Sequence, residues 1–62
     1  MIERITEGLV VQAAREWAAR TNKSDATAVA NAQDTMVALK VKLTTEEYDQ
    51  ALERLYREYE ES

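Results

Sequence analysis

The stretch VKLTTEEYDQALERLYREYEES, residues 41–62, carries the strongest structural signal in the chain. Thr44 and Glu47 form the pattern T-x-x-E, a capping box in which each side chain bonds the backbone N–H of the other residue at a helix start. Leu43 before the cap and Tyr48 after it are placed as a hydrophobic staple. We therefore predict that a helix begins at this point.

The residues behind this start repeat with the period of an amphipathic helix. Apolar side chains recur at intervals of four, three and four residues, at Tyr48, Leu52, Leu55 and Tyr59. We predict a third helix over residues 45–60, with this stripe facing the rest of the chain.

Two more helices are predicted upstream. Residues 2–20 place apolar side chains at helical spacing, in a stripe that Val10, Ala14 and Ala18 widen: Ile2, Ile5, Leu9, Ala13 and Trp17. Residues 26–42 carry a heptad seam of two repeats, and Leu43, just after this range, completes it. The seam residues are Val29, Ala32, Met36, Leu39 and Leu43. The intervening sequence TNKSD offers Asn22 as a left-handed helix end and Ser24 or Asp25 as the next N-cap.

The fold class that follows is all-α, a single helical domain over residues 1–62 with three helices joined by two turns. Ten of its apolar residues are Ala, and a chain this short buries only about 60% of its unfolded surface. Because Cys and His are absent, neither a disulfide nor the usual zinc site can add stability. We therefore predict a homo-oligomeric helical bundle, with a homodimer as the expected state. The residues assigned to the core or the oligomer contact are Leu9, Val29, Met36, Leu39, Leu43, Tyr48, Leu52, Leu55 and Tyr59.

Charge is distributed unevenly along the chain. Residues 44–62 hold seven acids and two bases, a net charge of −5, against −4 for the whole chain. Acids in a first turn favour the helix dipole, which explains part of this excess without any partner. The alternative is a partner-binding surface, assigned to Glu46, Glu53, Glu58 and Glu60. An acidic segment does not suit the phosphate backbone, so no nucleic-acid partner is expected.

Trp17 is open to two interpretations. It lies on the apolar stripe of the first helix and is then a core anchor. Alternatively, its indole stacks on a small, nucleotide-like anion held by the polar residues that follow, Arg20, Asn22 and Lys23. Both interpretations are kept as predictions.

The composition gives little support to catalysis. Without His or Cys there is no imidazole base and no thiolate nucleophile. Gly8 is the only glycine, so a glycine-rich phosphate loop is excluded. We predict a protein that is not an enzyme, with no catalytic residues, no cofactor and no metal.

Apolar runs in the chain are too short for a membrane span. Even the longest, residues 36–39, has only four residues, and the N-terminal MIERITEG lacks the apolar core of a signal peptide. We expect no membrane association and a cytoplasmic location.

The segment LTTEEYDQALERLYREYEE resembles the C-terminal part of short helical proteins encoded by bacteriophages and prophages, in which a [LI]-T-x-E-E-[YF] helix start follows another helix. The resemblance covers about a third of the chain. It implies a phage protein in the cytoplasm of an infected bacterium, acting on a host component such as antiviral defence.

Three functions are consistent with these features. The first is a small acidic interaction protein that binds a host protein without catalysis. The second is an oligomer that sequesters a nucleotide-like anion as a counter-defence protein. The third is a structural or assembly protein of a virion.

Overall fold

The computed structural model describes residues 4–61 as three helices, α1 (Glu7–Thr21), α2 (Asp25–Lys42) and α3 (Thr45–Glu61). No strand occurs within these residues. The all-α class and the three-helix order are confirmed. α1 packs against both other helices, whereas α2 and α3 contact each other least.

The start of α3 has the predicted capping box. The Thr44 hydroxyl accepts the Glu47 backbone N–H at 3.3 Å, and the Glu47 carboxylate accepts the Thr44 N–H at 3.0 Å. Two N–H groups that a helix start would leave unpaired are thereby satisfied. Leu43 and Tyr48, the staple pair, both pack in the core region.

Replacing Thr44 with Ala is expected to lower the free energy of unfolding by about 0.5–2 kcal/mol, because the Glu47 N–H loses its acceptor. Thr45→Ala is the matched control, since Ala is favoured within the first turn of a helix. Urea denaturation of both variants checks the difference. Equal stability of the two would show that the cap contributes nothing.

The predicted start of the first helix at Ile2 is wrong for the part that can be compared. Ile2 itself lies outside the described residues, but residues 4–6 are not helical and α1 begins at Glu7. Thr6 causes this later start. Its backbone is extended (φ −102°, ψ 166°) and not helical, and its hydroxyl caps α1 by accepting the Leu9 N–H at 3.2 Å.

The turn between α1 and α2 follows the sequence prediction. Asn22 has φ 59° and ψ 42°, the left-handed conformation that Asn tolerates well. The next N–H, from Lys23, reaches back to the Ala18 carbonyl at 2.8 Å. Ser24, rather than Asp25, caps α2 by accepting the Thr27 N–H at 3.3 Å.

The core consists mainly of small side chains. Its buried residues are Val10, Ala13, Ala14, Ala18, Ala28, Ala32, Met36, Tyr48 and Leu52. Five of these nine residues are Ala, so small side chains form much of the contact between the helices, and no polar side chain is buried among residues 4–61.

The nine residues predicted for the core or the oligomer contact divide into three groups. Met36, Tyr48 and Leu52 are buried. Four are half-buried and pack against the core: Leu39, Leu43, Leu55 and Tyr59. Leu9 and Val29 are half-buried and lie outside the core cluster.

The buried face of α1 lies within the wide predicted stripe but toward one side of it. Val10, Ala13, Ala14 and Ala18 are buried and Trp17 packs against the core, whereas Leu9 is half-buried outside the core cluster. α1 packs against both α2 and α3. Small side chains on its buried face leave room for both helices.

Candidate functional site

Three of the four acids predicted to bind a partner lie on one face of α3. Glu46, Glu53 and Glu60 are spaced seven residues apart, which brings each within about 20° of the last around the helix. All three are exposed. Glu58 is five residues after Glu53, about 140° around the helix, and so lies on a different face. We call Glu46, Glu53 and Glu60 the acidic stripe.

Ion pairs neutralise part of the charge along this stripe. The Arg57 guanidinium lies 2.8 Å from the Glu53 carboxylate, one helical turn earlier. Arg4, in the segment before α1, pairs with Asp49, which lies between Glu46 and Glu53 in α3. Within residues 4–61, Glu46 forms no ion pair. The ends of the stripe are therefore its most available negative charges.

A shallow groove of about 520 Å³ lies against the middle of the stripe, where Glu53 forms part of its wall. Its walls include Ile5 and the half-buried ring of Tyr56, with Gln50 and the two ion pairs at its edges. Tyr56 and Arg4 were not among the predicted site residues. Tyr56 lies next to the apolar stripe in the sequence, but nothing in the sequence places Arg4 against α3.

Tyr48 links the first turns of α1 and α3. Its hydroxyl donates a hydrogen bond to the Glu7 carboxylate. Burial, this hydrogen bond and the negative charges of Glu7 and Asp49 raise the pKa of Tyr48 to about 12. The neutral phenol is thus the form that the folded protein stabilises.

The stability of the fold is expected to fall as the pH rises from 10 to 12. In that range the unfolded chain releases the Tyr48 proton while the folded chain retains it, so the unfolded state binds fewer protons. The full effect of such a shift is about 2–3 kcal/mol. Tyr48→Phe should flatten this pH dependence in urea denaturation. An unchanged slope in the variant would contradict the assignment.

The residues predicted to hold an anion have structural contacts. The Trp17 ring lies 5.7 Å from the Tyr59 ring at a tilt of 58°, and the Arg20 guanidinium donates to the Tyr59 carbonyl. Asn22 forms the left-handed end of α1, and Lys23 is exposed beside it. The contacts of Trp17 and Arg20 with Tyr59 join α1 to the last turns of α3. Anion binding by these four residues stays a prediction.

Tyr59 has its own electrostatic environment at this end of α3. Partial burial and the neighbouring Glu58 charge raise the pKa of Tyr59. Its ring and carbonyl are both engaged by α1, so this contact is part of the fold.

Over residues 4–61, no three acidic, His or Cys side chains come together as a metal site. No helix in that range combines the length and apolarity that a membrane span requires.

Comparisons of the chain with protein-family models, curated proteins and solved structures gave no match. The resemblance to phage proteins therefore stays a prediction.

Proposed function

We propose that this is a small interaction protein without catalytic activity, whose α3 binds a basic surface on a partner protein. The observation that carries the proposal is the acidic stripe, Glu46, Glu53 and Glu60, exposed at heptad spacing beside the groove that contains Tyr56. Acidic side chains in this arrangement steer a basic partner, and a tyrosine contributes contact area at low entropic cost.

The proposed partner follows from the resemblance of the α3 segment to phage proteins. It is a host protein in the cytoplasm of an infected bacterium, and counter-defence is the proposed role. The proposed working form is a homodimer, because 62 residues with an Ala-rich core bury little apolar surface.

Two neutralised variants of equal charge test the binding surface. Glu46→Gln with Glu60→Gln removes charge from the stripe, whereas Glu16→Gln with Asp34→Asn removes the same charge from exposed positions on α1 and α2. Each variant is used with the wild type as bait in a bacterial lysate.

The proposal expects a partner that the wild type and the control capture and the stripe variant loses at physiological salt. Capture that is equal for all three proteins would contradict a role of the stripe. Circular dichroism of the variants establishes that the helices are intact.

A further inference from the structure

α2 is apolar on two faces, only one of which the fold buries. Ala28, Ala32 and Met36 face the core. Val37 and Val41, on the outer side, are 64% and 82% exposed. Val37 and Val41 lie one helical turn apart, and neighbouring exposed apolar side chains often mark a protein contact surface. The outer face of α2 therefore lacks a partner within residues 4–61.

This face continues into a groove between α1 and α2. Two shallow concavities lie along the boundary between the helices and share Val11 and Gln33 in their walls. The first extends toward Ala30 and the second toward Val37. Together they form one surface, which we call the α1/α2 groove.

Gly8, in the first turn of α1, lines the same groove. Its backbone does not need glycine, since its φ is not positive. A Cβ built at Gly8 would meet only the Thr6 hydroxyl, at 3.8 Å, which is ordinary contact. The isolated chain thus offers no reason for a residue that weakens a helix, whereas close approach of another backbone would require it.

The charges along α1 are self-complementary about Val11. Glu7 lies four residues before it and Arg15 four residues after it; both are exposed, although Glu7 also accepts the Tyr48 hydroxyl and Arg15 lies 3.4 Å from Asp25. A two-fold axis near Val11 brings Glu7 of each copy toward Arg15 of its mate, because an isologous contact places each residue opposite its counterpart in reverse order.

We propose that the α1/α2 groove is the contact surface for a second copy of this chain, packed antiparallel about a two-fold axis near Val11. This inference rests on the homodimer proposed above and locates its interface. A standard interface takes roughly 800 Å² per partner, about a sixth of the 4706 Å² of accessible surface of this chain. The groove walls contain no α3 residue, and the acidic stripe stays available in the dimer.

Analytical ultracentrifugation over a range of concentrations tests the interface. The wild type is expected to sediment as a dimer at high micromolar concentration. Val37→Lys should raise the dissociation constant at least tenfold. Ala38→Lys puts the same charge on the next exposed position of α2, outside the groove, and should leave the constant within about twofold of the wild type.

Gly8→Ala distinguishes a change in dimerisation from a change in the stability of the fold. The substitution is expected to weaken the dimer without destabilising the monomer. Ala favours the helix, so the melting temperature extrapolated to the monomer should hold or rise. The dissociation constant should nevertheless increase severalfold, since the added methyl group holds the second backbone away.

Three results would overturn the proposal: a monomeric wild type, equal effects of Val37→Lys and Ala38→Lys, or a Gly8→Ala protein that dimerises as well as the wild type. These measurements involve no other protein, so a failure here is distinct from a failure of the acidic stripe to bind its partner.

Discussion

Leu52→Ala is expected to lower the free energy of unfolding by about 2–5 kcal/mol, the range for truncating a buried leucine. Leu52 is 3% exposed and is the only buried leucine of the described core. Its neighbours in that core are mostly Ala, which cannot extend into the space that it would leave. A fold of this length is marginal, so we expect the variant to be largely unfolded at room temperature.

Leu9→Ala is the control for this prediction. Leu9 is half-buried and lies outside the core cluster, so its truncation should cost clearly less. Circular dichroism during urea denaturation, at one fixed protein concentration, measures both. A larger effect at Leu9 than at Leu52 would show that α1 presents the other face to the core.

Ala14→Leu is expected to destabilise the fold by about 1–3 kcal/mol or more, although it adds apolar surface. Ala14 is fully buried in α1, and Ala32 of α2 is equally inaccessible. Three additional carbons at such a position force the helices apart or the side chain out of its preferred rotamer.

Ala19→Leu provides the same substitution on the exposed side of α1. Its stability should stay within about 0.5 kcal/mol of the wild type. Thermal denaturation of the two variants measures the contrast. If Ala14→Leu were as stable as Ala19→Leu, this would show that Ala14 is not tightly packed against another helix.

Local signals were sufficient to predict α3 and both turns. The capping box of Thr44 and Glu47 specifies hydrogen bonds within four residues, and Asn22 specifies its own backbone conformation. These features depend on near neighbours in the chain, so the sequence contains all that is needed to predict them.

The face of α1 could not be predicted in the same way. Leu9 and Val10 both belong to a wide apolar stripe, and choosing between them depends on how closely two other helices approach. The Ala residues that permit this approach add little to an apolar pattern. The start of α1 was missed for another reason: Thr6 was a recognisable cap, but the apolar period running through Ile5 concealed it.

The candidate site was predicted in part. The spacing of Glu46, Glu53 and Glu60 placed them off the apolar seam, as the structure shows. Their separation from Glu58 follows from helix geometry alone. The contact of Arg4 with Asp49 joins positions far apart in the chain, and a local pattern contains no information about it.

The association rate with the captured partner tests most directly whether the acidic stripe recognises a basic surface. We compare the wild type with a Glu46→Lys, Glu60→Lys variant by stopped flow at low and high salt. Exposed charges contribute little to folding, so this variant should stay helical. We expect its association rate to fall at least tenfold at low salt and the difference to shrink at high salt, because ions screen the attraction. Equal rates for the two proteins at both salt concentrations would contradict a role of the acidic stripe in binding.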